Sequence, residues 1–260
     1  MILAGKDYSL SVASGYLVQK TTNSTNAQWK LCYDEVYHGD NLLVGIIDSQ
    51  HSDNHSSWIG HAASALYDFG SDSNIIYYNA DFPSDNELEE DTQKELLMEC
   101  MEESKIIKFY AHGFCDNSGS YIRLSDTVGT PVYLTTDDIK QLDLSDTELI
   151  LFGSCSTAAN YNVSQAENLL TASVNNANAL MAVGFTQQIL CSSLLIFMQA
   201  ITYNYNAQLA SYTDYSSRTT AEQLAIRSNC YLMAIEQAAD ASKLSQSCVI
   251  FTNGNYITLS

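Results

Sequence analysis

Apolar positions along the chain fall into short, nearly continuous runs, separated by longer stretches in which they recur every three or four residues. The runs occupy 42–47, 75–78, 106–111, 149–152, 180–185 and 248–251 and are rich in β-branched and aromatic types. Strands buried on both faces read this way, because a strand inside a helix-covered parallel sheet has no solvent face on which to alternate. Between the runs, Ile59, Ala62, Ala63, Leu66 and Tyr67 at helical spacing predict a helix over 58–67. Leu88, Leu96, Leu97 and Met101, set among acids, predict another over 87–101. Two more are expected over 164–176 and 193–209, and a long one opens at Thr220, whose spacing to Gln223 is that of a capping box. This alternation predicts an α/β fold with a mostly parallel central sheet of about six strands.

One stretch breaks the rhythm. Tyr121-Ile-Arg-Leu124, a turn through Gly129-Thr-Pro131, and Val132-Tyr-Leu134 predict a small β-hairpin inserted after the third strand and followed by a short helix over 137–142. Residues 1–40 are rich in Ser, Thr and Asn and are expected to form an N-terminal segment, either an edge hairpin or a processed piece. With 260 residues, 46% apolar content and only two prolines, the remainder, 41–260, reads as one domain with a substantial core.

Charge narrows the function. A net charge of −19 opposes nucleic-acid phosphates and anionic lipid surfaces alike, so neither nucleic acid nor membrane is an expected partner. Much of the acid lies between Glu87 and Glu103, where a solvated helix face is the expected role. No apolar run reaches the roughly 18 residues of a membrane span, and the first residues lack the pattern of a signal peptide. Seven cysteines, 32, 100, 115, 155, 191, 230 and 248, form no CxxC pair. Reduced thiols and a cytoplasmic setting follow as expectations.

In an open parallel sheet, reactive groups gather beyond the carboxyl ends of the strands. Asp48 follows the first run, His112 and Gly113 the third, Ser154 and Cys155 the fourth, Thr186 and Gln187 the fifth. A His and a Cys at the ends of two strands are what a thiol nucleophile and its proton-handling partner require, and adjacent strands stand about 5 Å apart. Cys155 lies among small residues, Gly153-Ser-Cys-Ser-Thr157, and is expected just before a helix, whose N-terminus would favour a thiolate. Cys32, Cys100, Cys230 and Cys248 read as inert core thiols.

The elements Ile106-Ile-Lys-Phe-Tyr-Ala-His-Gly113 and Glu148-Leu-Ile-Leu-Phe-Gly-Ser-Cys155 resemble the two signatures of the caspase-like cysteine peptidases, a group that includes caspases, metacaspases, legumain, gingipain, clostripain and separase. The nearest resemblance is to the bacterial CHAT branch related to separase, through Tyr110-Ala-His-Gly113, Gly153-Ser-Cys-Ser-Thr157 and Asn178-Ala-Leu-Met-Ala-Val-Gly184. Clostripain and metacaspases carry an Asp two residues before the Cys, where this chain has Gly153. The resemblance implies a caspase-like three-layer sandwich and acyl transfer on a protein or peptide substrate. Cys155 would attack the scissile carbonyl, His112 would protonate the leaving amine, and the backbone N–H groups of Gly113 and Cys155 would hold the oxyanion. No third catalytic residue and no metal or organic cofactor is needed. By the same resemblance Asp48, with Gly153 and Ser154, would line the pocket for the residue before the cut, and Asp48 would favour Lys or Arg there, although an Asp capping a turn reads the same way. Activation by self-processing or by a partner is the group's habit.

Two rival readings stand beside this one. Asp48, His51, Asp53, His55 and His61 crowd one loop, and the HxxxH spacing of His51 and His55 suits a metal hydrolase if the segment is helical. Alternatively, the same fold serves as a non-catalytic binding or scaffolding module.

Overall fold

The structure, a computed structural model, describes residues 2–3, 6–7, 18–20, 29–31, 41–47, 74–79, 90–124, 132–160 and 167–259. Two short antiparallel ladders come first, β1 (Ile2–Leu3) with β2 (Lys6–Asp7) and β3 (Val18–Lys20) with β4 (Trp29–Leu31). There follow β5 (Asn41–Ile47), β6 (Asn74–Asn79), helix α1 (Glu90–Glu102) and β7 (Ile106–Ala111). Next come β8 (Gly113–Asp116), β9 (Gly119–Arg123), β10 (Tyr133–Thr135), the short helix α2 (Thr136–Ile139) and β11 (Leu149–Gly153). One turn of helix, α3 (Leu169–Thr171), runs into a π-helical turn over Ala172–Asn176. The chain ends with β12 (Met181–Phe185), α4 (Cys191–Ala210), α5 (Thr220–Ala241), β13 (Cys248–Thr252) and β14 (Asn255–Thr258).

The main sheet has seven strands in the order β14-β13-β12-β11-β7-β5-β6. From β6 through β12 the pairings are parallel, and β13 and β14 close one edge antiparallel. The expected mostly parallel sheet is present, one strand wider than read. Alternate side chains supply opposite faces. Tyr110, Leu151, Val183 and Ile250 pack with α4 and α5. Phe109, Phe152, Ala182 and Phe251 pack with α1, α2, α3 and the small sheet. Three layers result, as expected, and β7, β11, β12 and β13 lie buried along their whole lengths, which is why their sequences carry no polar alternation. Lys108 is the exception in type: its stem crosses the core and its Nζ donates to Thr202 Oγ1 on α4 at 3.1 Å.

Several boundaries differ from expectation. The inserted hairpin is a three-stranded antiparallel sheet, β10-β9-β8, because the residues just after His112 pair with β9. The long C-terminal helix is capped one residue earlier than read. Thr219 Oγ1 accepts the Glu222 N–H at 3.3 Å, and the Glu222 carboxylate accepts the Thr219 N–H at 2.9 Å. A carboxylate there also meets the positive end of the helix dipole, which the neutral Gln223 would not. The helix expected over 58–67 lies outside the described residues, as does the start of that over 164–176.

Candidate active site

His112 sits half-buried between β7 and β8, its carbonyl accepting the Arg123 N–H at 3.0 Å. Cys155 stands two residues past the end of β11. These two strands are parallel neighbours, with Phe109 beside Phe152 and Tyr110 beside Gly153. His112 and Cys155 are each two residues beyond that last matched pair, at the same end of the sheet. The closest approach is made by the backbone. A Cβ on Gly113 would lie 2.2 Å from the Cys155 carbonyl oxygen, 2.8 Å from Ser154 Cβ and 3.0 Å from Cys155 N. Only glycine permits this proximity.

The chain does not enter a helix after Cys155. Residues 155–160 form turns, with Ser156 in the left-handed region at φ 58°. The reason lies in the neighbouring strand end. Ser156 N–H donates to Gln187 O at 3.2 Å and Ala158 N–H to Phe185 O at 2.9 Å, so these donors are tied to the β12 side of the sheet. Thr157, fully buried, accepts the Phe185 N–H on Oγ1 at 3.2 Å. Its carbonyl accepts Ser120 Oγ at 2.8 Å, and that hydroxyl in turn accepts the Leu169 N–H at 2.8 Å. The nucleophile candidate is therefore held by a braced turn, and a helix dipole directly behind it plays no part.

The Cys155 sulfur is half-buried and faces the loop after β12. Ile189 N–H donates to Sγ at 3.4 Å, and Sγ approaches the Ile189 carbonyl at 3.8 Å. No side-chain signal announces this contact, because any residue at 189 offers the same backbone groups. Gly153 is buried, and a Cβ there would lie 2.3 Å from Phe109 O and 2.8 Å from the Met198 side chain of α4. Ser154 is 1% exposed, and its Oγ finds no hydrogen-bond partner among the described residues.

Of the remaining thiols, Cys100, Cys230 and Cys248 are buried in the core, and burial pushes the last two up from the ordinary thiol value. Cys115 is half-buried and also raised, by burial first and then by the neighbouring Asp116 charge. Cys191 is exposed. Cys32 and the loop residues Asp48, His51, Asp53, His55 and His61 lie outside the described residues. Among the described residues no group of three His, Cys, Asp or Glu is placed to hold a metal ion, and no helix is long and apolar enough to cross a membrane.

Fold and site together define an α/β sandwich with a histidine and a cysteine on adjacent strand ends of a parallel sheet. No protein-family model matches the chain, and no curated protein matches it in sequence. Among solved structures it is similar to separase from Saccharomyces cerevisiae in its complex with securin, at 12% identity and a TM-score of 0.45, over 85% of this chain and 12% of that one. A second determination of that complex matches at 13% identity and a TM-score of 0.44, with the same coverage. The Drosophila initiator caspase Dronc matches at 13% identity and a TM-score of 0.41, over 82% of this chain and 78% of that one. The chain thus spans about 12% of the separase chain. Likeness this distant assigns no role to any residue.

Proposed function

We propose that the protein is a cysteine endopeptidase, of the CHAT and separase-related kind, cleaving protein substrates through Cys155 and His112. The observation that carries this reading is the contact of Gly113 with the backbone of 154–155, which sets the residue after His112 against the residue that bears the thiol. Cys155 Sγ attacks the scissile carbonyl carbon to form a C–S bond, and His112 gives a proton to the departing amine as the C–N bond breaks. Water then attacks the acyl-enzyme thioester, releasing the acid and restoring the thiol. The N–H groups of Gly113 and Cys155 stabilise the oxyanion, a role worth roughly 3–4 kcal/mol per donor. A basic residue before the cut is proposed from the place of Asp48 in the sequence, directly after the run that forms β5. Processing near residues 1–40, or a partner, provides activation, in a cytoplasmic setting.

Incubation with fluorogenic peptides differing at P1 tests the reading. Cleavage should be lost in both Cys155→Ala and His112→Ala, and should prefer Lys or Arg. Cleavage that survives in either variant overturns the dyad. One observation favours a second reading, a non-catalytic module: the sulfur is engaged on both sides by Ile189, without a helix N-terminus behind it. Thiol-reactive probes separate the two. A catalytic Cys155 labels ahead of the more exposed Cys191, whereas in a scaffold labelling follows exposure.

A further inference from the structure

The small sheet carries a feature that the proposed chemistry leaves unused. Along β9, Ser120 and Ile122 turn inward while Tyr121 and Arg123 stay half-exposed. Phe114 stands opposite Tyr121 and stacks on it with ring centres 5.6 Å apart, and Tyr133 meets Tyr121 edge-on at 5.0 Å. Phe114 is 39% exposed although its strand leads directly from His112. At the far end of the strand, Asp116 accepts the Ser118 N–H and the Ser118 hydroxyl, each at 2.7 Å. Those bonds, the Ser118 hydroxyl first, hold its carboxyl below the usual carboxylate value, so it is ionised at neutral pH. Burial and then the Asp116 charge raise Tyr121, so it is neutral.

An exposed phenyl ring, flanked by two half-exposed tyrosines and a fixed carboxylate, suits one chemistry, a guanidinium or ammonium that lies against the rings and pairs with the acid. The molecular charge of −19 draws such a group in. Arg123, on the same face, stands at the His112 end, where its N–H meets the His112 carbonyl, so the acidic character lies at the far end of the strip. At about 3.3 Å per residue, Phe114 and Asp116 lie roughly 7 and 13 Å beyond His112 along the strand. An extended peptide covers those distances in about two and four residues.

We infer that the Phe114, Tyr121 and Tyr133 face, with Asp116, is a subsite for an Arg or Lys side chain two to four residues beyond the scissile bond on the leaving-group side. The assignment of side rests on the peptidase reading, in which His112 faces the departing amine. The test is fluorescence anisotropy on Cys155→Ala protein with paired extended peptides that differ only in Arg or Gln over those downstream positions. The Arg peptide should bind about three- to tenfold tighter, and Asp116→Asn and Phe114→Ala, each added to Cys155→Ala, should remove most of that advantage. Equal binding of the two peptides, or a preference undiminished when both residues are changed, overturns the subsite. Wild-type protein on a coumarin amide, which has no residue after the scissile bond, reads the chemistry separately. No cleavage there, with labelling of Cys155 that only follows exposure and the Arg preference intact, defeats the peptidase reading and leaves a binding site for basic peptides. Cleavage without the Arg preference defeats the subsite alone.

Discussion

At Gly113 the backbone has come so close to its neighbour that a single methyl group decides whether the site exists. A Cβ 2.2 Å from a carbonyl oxygen cannot be absorbed by a side-chain rotation, because the atom it meets belongs to the main chain. Gly113→Ala should therefore push residues 154–155 away and lower probe labelling of Cys155 by about tenfold or more, with a loss of stability of roughly 1–3 kcal/mol. Gly254 supplies the control. It sits at φ +72° with nothing within 4 Å of its missing Cβ, so Gly254→Ala carries only the conformational cost, about 1–2 kcal/mol, and leaves labelling intact. Mass spectrometry of labelled protein and thermal melts of both variants check the pair. Equal labelling in the two would remove the close contact from the argument. The positions of His112, Gly113 and Cys155 past the ends of β7 and β11 were legible in the sequence, since each follows a run whose buried character fixes it as a strand. The Ile189 contact and the Phe114–Tyr121–Tyr133 array were not, because one is backbone chemistry and the other depends on the register of β8, β9 and β10.

Among the secondary-structure elements, legibility followed burial. The runs at 106–111, 149–152 and 248–251 reappear almost unchanged as β7, β11 and β13, since a fully buried strand leaves an unbroken apolar signature. The edge strand β14, mostly exposed and only four residues long, leaves none. Its local signal is the turn before it: Asn253 at φ 49° and Gly254 at φ 72° make the Asn-Gly hairpin connection that right-handed strand twist favours. The turn after Cys155 read as a helix start because its hydrogen bonds go to β12, a partner that only the folded sheet supplies. The cap of α5 offers a test at this scale. Hydrogen bonds from Thr219 hold Glu222 below its ordinary value of 4.5, so the cap stabilises the fold above that pH and its contribution fades as pH falls through the lowered folded value. Thr219→Ala should cost about 1 kcal/mol at pH 7, and the gap between its melting curve and that of the wild type should narrow as pH falls below the ordinary value of 4.5. A gap independent of pH would mean that the cap acts through the threonine hydroxyl alone.

Across the whole molecule, the sheet separates the candidate site at its carboxyl end from an ionic tie at its amino end. Glu148 precedes β11, is 6% exposed, and receives Arg227 of α5 through two bonds, from Nε at 2.8 Å and from a terminal guanidine nitrogen at 2.5 Å. Tyr231 donates to the same carboxylate at 3.3 Å, and Lys105 stands 3.6 Å away. The Glu148 N–H bonds to Lys105 O at 2.8 Å, and Thr147 Oγ1 to Ser104 O at 2.8 Å, so β7 and β11 are fastened together where they begin. That fastening fixes the register which brings His112 and Cys155 level some 23 Å away, seven residues on at about 3.3 Å per residue. Removing one partner of a buried pair costs roughly 3–5 kcal/mol where the other charge is left uncompensated, and the lower end applies here because Lys105 and the Tyr231 hydroxyl stay beside Glu148, while replacing both with apolar residues is often nearly neutral. Arg227→Leu should therefore lower the melting temperature by about 6–15 °C, and Glu148→Leu combined with Arg227→Leu should recover most of it. The backbone bond of Glu148 and the hydroxyl bond of Thr147 remain in both variants, so the register survives and Cys155 labelling at 25 °C should stay within about twofold of the wild type. If labelling instead falls in proportion to stability across the two variants, the ion pair, and not the backbone ladder, holds the site in register.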